Sequence, residues 1–331
     1  MKRLFVLFAF LLLSCAFNAQ DVKAQSEGTL MIVPRAEYSP YFVPSDKSWH
    51  HNFGHTGLWT VFDGNLGEHF SFSVANHWLN IYESFGDTKD LYKNTWRTDE
   101  TNWVDWANVS VHFGQFSITL GKDYIHLGTF ENDAYDFDSH GVMNSLLWNN
   151  YQVYQWGGSL NWTSSDESTK LMLQMTTEQI MGKPFASKKL GDYVYSLFGS
   201  HETEDGLILM GSVGHYPSIG WMGAMGLQLP VNDVLTVQGD GYLAGNYTAA
   251  SLKLTATLGD HFDLYAKGGF DTGENEVLDV LESSVYCGLG GYWFPLRNRD
   301  LRVHALCTYD TYGRTFTLGA GVTYALNLKL F

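Results

Sequence analysis

The sequence predicts an all-β chain that crosses a membrane as an antiparallel barrel of about sixteen strands, and three observations predict it. Polar and apolar residues alternate one by one through about sixteen segments, each near the roughly 9–11 residues that a tilted spanning strand needs. The connections between these segments are short at one end and long at the other, the asymmetry of bacterial outer-membrane barrels. Aromatics make up 15% of the chain beside 34 Gly and only 7 Pro, a mixture that suits aromatic girdles and a wall curving at glycines.

The chain begins with its one long apolar run, residues 4–13, behind Lys2 and Arg3. The run is too short to span a bilayer as a helix. It has the layout of a secretory signal, with small-residue cleavage after Ala24 (Val22 at −3) or after Ala19. The expected organisation is a signal peptide at 1–24 and one barrel domain at 25–331, exported to the cell outer membrane and partnered by its lipid. Leu12-Leu13-Ser14-Cys15 offers lipoprotein processing as the alternative. Loss of the leader leaves 17 Lys and Arg against 34 Asp and Glu, a net charge of −17. An acidic surface of this kind argues against nucleic acid as a partner.

In order, the first strand is expected at about 29–38. Phe70, Phe72 and Val74 then alternate with Ser71 and Ser73. Next comes a hairpin, 103–113 and 116–122, around Gly114-Gln115. A two-residue turn with Gly first pairs Phe113 with Phe116, Val111 with Ile118 and Val109 with Leu120 on one face. The same register pairs His112 with Ser117 and Ser110 with Thr119 on the other. One face is apolar and the other polar, as in a wall with lipid outside and water inside.

Tyr154, Trp156, Leu160 and Trp162 carry the same rhythm, as do Trp221, Met225 and Leu227, although Met222 breaks the polar phase of that segment. Phe316, Leu318, Val322, Tyr324 and Leu326 continue it near the end. Short turns fall at 65–68, 114–115, 164–168, 201–205, 230–233, 259–261 and 295–300, and long loops at 39–56, 80–102, 125–150, 178–192 and 272–283. Phe331 supplies a terminal aromatic. Leu326, Leu328 and Leu330 are one residue out of phase with it, which calls for either a bulge or a variant ending. Cys287 and Cys307 fall in the outward phase of neighbouring strands and read as two small buried thiols rather than a disulfide.

The loop 125–150 carries Glu131, Asp133, Asp136 and Asp138. Folded inward, it sets these acids at a constriction, and charged residues at a narrow point bias which ions pass. Otherwise it is a solvated surface loop. The turn at 259–261 places Lys253 opposite Lys267 on the inner face, and like charges facing one another are destabilising. An acid must therefore lie nearby, either Asp240 on the preceding strand or the inward loop. The expected pore wall is Lys253, Lys267, Asp240 and Arg302, with the basic members facing Glu131, Asp133, Asp136 and Asp138 across the aperture. The alternative is lysines that simply point into a wide aqueous lumen.

Other patterns carry less. Asp136-x-Asp138-x-His140-Gly141 lacks a calcium ligand at the third position and has Leu147 where a bidentate Glu belongs. His50, His51 and His55 have no carboxylate or thiol at ligand spacing, so no metal and no cofactor is expected. Gly288-Leu289-Gly290-Gly291 lies within a strand, where glycine relieves crowding. No nucleophile and base stand at catalytic spacing, so no catalytic residue is assigned.

The stretch from Trp106 to Lys122, an Ala-containing strand, a glycine turn and an alternating strand ending Gly121-Lys122, resembles the phosphate-selective porins O and P. The resemblance implies a sixteen-stranded, trimeric outer-membrane pore. That family's phosphate-binding members carry basic ladders in the pore, whereas here the loop is acidic and the chain negative, so only the pore carries over. The expected function is passive diffusion of small hydrophilic solutes or ions. The alternatives are a barrel enzyme (phospholipase, deacylase or protease) and a barrel plugged by its loops, such as an adhesin.

Overall fold

The computed structural model describes residues 26–53, 56–81, 104–133, 143–151, 153–178, 189–273 and 283–331. The expected signal peptide with its cleavage sites and Cys15, and also His55, Asp136, Asp138 and His140, lie outside the described residues.

The chain starts with β1 (Glu27–Tyr38), a small hairpin β2 (Tyr41–Val43) and β3 (Ser48–His50), then β4 (Thr56–Leu66) and β5 (Phe70–Ile81). The hairpin β6 (Val104–Phe113) and β7 (Phe116–Tyr124) leads into two short helices, α1 (Phe130–Asp133) and α2 (Leu146–Asn150). β8 (Tyr154–Thr163), β9 (Thr169–Thr176), β10 (Val194–Glu202), β11 (Ile208–Tyr216) and β12 (Gly220–Pro230) follow. The last run is β13 (Leu235–Ala244), β14 (Tyr247–Leu258), β15 (Phe262–Thr272), β16 (Ser284–Trp293), β17 (Leu301–Asp310), β18 (Thr315–Tyr324) and β19 (Leu326–Lys329).

Each wall strand pairs antiparallel with the next, and β1 closes the ring by pairing with β4 on one side and with β18 and β19 on the other. With β2 and β3 as a rim hairpin and β19 continuing β18, the wall is a closed antiparallel barrel of sixteen strands. Such closure pairs the two edges that an open sheet would expose.

Both hairpin registers read from the sequence are present. Phe113 pairs with Phe116 and Val109 with Leu120 across a turn in which Gly114 has φ +65°, a conformation suited to glycine. Lys253 pairs with Lys267 across the turn at Gly259. The apolar rows are exposed on the outside, as Val109, Leu120, Leu254 and Leu264 show, while Thr119 and Lys267 are buried within.

The ending resolves without a bulge. The pairs Arg35 with Thr323 and Ile32 with Leu326 keep one offset on both sides of Ala325. The ladder is interrupted where Pro34, which has no N–H, faces the wall, and Ala325 donates its N–H to Asp300 O instead at 2.8 Å. Leu326, Leu328 and Leu330 therefore continue the outward row, and Phe331 folds its ring over Gly28, where a Cβ would lie 2.5 Å from Cζ. The thiols are both free, but neither is buried as expected: Cys287 is exposed on the outer face and Cys307 is half-buried.

The inner rows are not uniformly polar. Met222, Ala224, Tyr242, Ala244, Tyr247 and Ala249, at the long-loop ends of β12 to β14, are buried in one cluster with Ile125, Leu127, Leu146, Leu147 and Tyr151. The residue that breaks the rhythm at Met222 is thus the seat of the segment between β7 and β8. That segment is packed inside the barrel.

Candidate functional site

The site is the interface between this inward segment and the wall. Past β7, Ile125 donates its N–H to Val153 O at 2.8 Å, and Leu127 O accepts from Ser212 Oγ at 2.8 Å. Gly128 takes φ +74° and lies flush on β11, where a Cβ would come within 2.6 Å of the Gly211 backbone. Only glycine meets both demands without strain. The free N–H groups that open α1, those of Phe130 and Glu131, donate to the two oxygens of Asp240 at 2.8 and 3.1 Å. A wall carboxylate thus serves amides that a helix start leaves unpaired.

Glu131 is the centre of the anchor. Its Oε1 accepts from Lys267 Nζ at 2.7 Å and from Ser145 N–H at 2.9 Å. Its Oε2 accepts from Ser145 Oγ at 2.6 Å and Tyr242 OH at 3.1 Å. Lys267 Nζ also donates to Asn144 Oδ1 at 2.9 Å. Both side chains are almost fully buried, and a buried pair of this kind is tolerable only when further hydrogen bonds meet its remaining groups; here they occupy both carboxylate oxygens and two of the three ammonium N–H groups. At the far end of the segment Ser145 caps α2 by accepting from Trp148 N–H at 3.2 Å. Asp271 accepts from Leu146 N–H at 3.0 Å and from Tyr247 OH.

The eight residues expected at the constriction and on the wall now divide. Glu131, expected to face Lys267 across an aperture, instead touches it, because the segment sits directly on β15. The loop, not Asp240, supplies the acid that the lysine pair needed, and Asp240 holds loop amides. Asp133 keeps its carboxylate open to the lumen but sunk in the barrel interior, where desolvation raises its pKa to about 6. Asp136 and Asp138 are outside the described residues. Lys253 and Arg302 remain on the wall, over the rings of Tyr265 (5.6 Å) and Tyr292 (5.0 Å).

A second buried cluster lies outside the residues that the sequence singles out. Glu37 accepts from Arg35 Nε at 3.2 Å and Ser39 Oγ at 2.7 Å, and meets His304 Nε2 at 2.8 Å. Arg35 and Arg302 both lie within electrostatic range of Tyr265. The available signal was Arg35-x-Glu37, two charges in the inward phase of β1. The cations Arg35, Lys253 and Arg302 therefore gather around Tyr265 and Tyr292, and Lys253 lies directly beside Lys267, to which the docked segment is tied.

Neither His50 nor His304 stands at the centre of a relay. At His50 both Ser48 Oγ (2.8 Å) and Asp46 Oδ2 (3.0 Å) meet the same ring nitrogen, whereas a triad needs hydroxyl and carboxylate on opposite nitrogens. At Glu37 the carboxylate, not the imidazole, stands in the middle. Among the described residues no group of three His, Cys, Asp or Glu has metal-binding geometry.

No protein-family model and no curated protein sequence matches this chain. Solved structures do. An anion-selective porin from Comamonas acidovorans superposes with a TM-score of 0.64 at 8% identity, covering 91% of this chain and 100% of that one. A triple mutant of Rhodopseudomonas blastica porin gives 0.57 at 12% identity over 90% and 100%. OmpT with loop L8 deleted, an outer membrane protein of Vibrio cholerae, gives 0.56 at 13% over 90% and 99%. At these identities the likeness is one of fold.

Proposed function

We propose that this chain is an outer-membrane porin, passing small hydrophilic solutes or ions by passive diffusion, without catalytic turnover or cofactor. The observation that supports the reading is the charge that lines the barrel interior beside the docked segment. Glu131, Asp240 and Asp271 hold the inward segment to the wall, while Lys253, paired across the strands with Lys267, and Arg302 occupy inward positions of β14 and β17. Fixed charge beside an aqueous path biases the ions that enter it. In this reading residues 1–24 are a signal peptide, 25–331 the barrel domain, and Asp133, with Asp136 and Asp138, the acidic side of the constriction. Homotrimers in outer-membrane lipid are part of the proposal, by analogy with porins. So is kinship with the phosphate-selective porins, which rests on the hairpin ending in Gly121-Lys122.

The test is conductance of the purified protein in planar bilayers. Discrete ohmic steps in KCl are expected, and Lys253→Glu with Arg302→Glu moves the reversal potential towards cation selectivity. A second reading, a barrel closed by its own segment, draws on the apolar cluster around Leu147 and Met222. Absence of conductance from folded, heat-modifiable protein would favour it over the pore.

A further inference from the structure

Below the docked segment, on the inner faces of β8 to β11, lies a cavity of about 490 Å³ that the anchor does not use. Its floor is apolar where a watery wall needs no apolar groups. Met172 pairs directly with Phe198, and Ile208 and Met210 stand on the next strand in the same inward phase. None of these four belongs to the cluster that seats the inward segment. The neighbouring inward positions are polar, namely Gln174, Ser196, Ser200 and Ser212. The floor is therefore a local departure from the pattern.

The rim carries charge of both signs. Lys170 pairs with Ser200 in the β9–β10 register, Glu202 lies one inward step further along β10, and Asp133 comes from the inward segment. His126, also from that segment, closes one side with its ring 5.3 Å from Phe198. Burial and the nearby Lys170 hold its pKa down to about 4, so at neutral pH it adds a hydrogen-bonding edge without a second cation. An apolar floor with a few convergent polar groups, in a volume within the usual ligand range, is the make-up of a small-molecule site.

We infer that this cavity is a solute-binding site for a compact zwitterion with an apolar side chain, a free apolar amino acid. Lys170 receives the carboxylate, Asp133 and Glu202 face the ammonium, and Met172, Phe198 and Met210 take the side chain. The inference deepens the pore reading and rests on it for its physiological meaning, but binding itself does not require conduction.

The experiment is calorimetric titration of the detergent-purified full chain with L-leucine and with glycine, beside conductance in KCl. Leucine is expected to bind at least about ten-fold more tightly than glycine, since only leucine removes apolar surface from water. Lys170→Gln and Met210→Thr are each expected to weaken leucine by about five- to ten-fold, with heat-modifiable mobility showing that the barrel still folds. Isoamylamine, which lacks the carboxylate, should bind as weakly to the parent as leucine binds to Lys170→Gln. Leucine no tighter than glycine, or unchanged by Lys170→Gln, overturns the site. If the channel still conducts in that case, the pore reading stands without it, whereas loss of conductance with leucine binding intact removes the pore and keeps the site.

Discussion

Glu131 and Lys267, 136 residues apart in sequence, meet at 2.7 Å inside the barrel with almost no exposure of either side chain. Removing one partner of a buried pair strands the other charge, at a cost of about 3–5 kcal/mol. Lys267→Met is therefore expected to unseat the inward segment. The check is faster proteolytic cutting between β7 and β8 together with larger, noisier conductance steps. Pairing it with Glu131→Gln should recover most of the parent behaviour, because no uncompensated charge then remains.

The segment also depends on glycines that leave it room. A Cβ at Gly128 would strike the Gly211 backbone, and φ +74° is costly for any side chain. Gly288 on β16 faces Met143, whose sulfur occupies the space of a Cβ there. Gly128→Ala and Gly288→Val are each expected to loosen docking by about 1–3 kcal/mol. The same proteolysis assay reads this, with the barrel's own melting less affected than cutting of the segment.

How much of this was legible follows from where each signal lies. Strand pairing is set by local rhythm and turn chemistry, so the hairpins at Gly114 and Gly259 could be read to the residue. The lysine pair announced that an acid was missing, and the sequence held two candidates for it. Choosing Glu131 required knowing that the segment lies on β15, a tertiary contact with no local signature. Met222 reads as a lapse of a polar row because the protein that covers it, around Ile125 and Leu127, is nearly a hundred residues away. The charges Arg35 and Glu37 sat in the right phase, but only the closing of β1 on β18 brings His304 to them.

The two thiols give an independent check on outward phase. Cys287 faces Tyr309 and Cys307 faces Leu289, which makes the cysteines diagonal neighbours, roughly 7–8 Å apart. That exceeds the span a disulfide bridges without backbone movement. Mobility on gels is expected to be identical with and without reductant. In liposomes a membrane-permeant maleimide should label both sites and a charged one neither. Labelling by the charged reagent would place this face in water.

Asp133 supplies the pH dependence. Its carboxyl has a pKa near 6 because it sits deep in the barrel, so it is largely ionised at pH 7.5 and largely neutral at pH 5. As pH falls through about 6 the lumen loses a negative charge, and the reversal potential in a KCl gradient should move towards anions. Asp133→Asn should diminish that step while leaving any change at lower pH, where ordinary carboxylates titrate. Stability follows the same linkage. A carboxyl whose folded pKa is raised binds its proton more tightly in the native state, so its stabilising contribution is present below the unfolded value of 3.8 and is lost as pH rises through about 6. The carboxylate is open to lumen water, so this stability effect is small beside the selectivity change. A parent channel whose selectivity is flat between pH 7.5 and 5 would show that Asp133 does not face the conducting path.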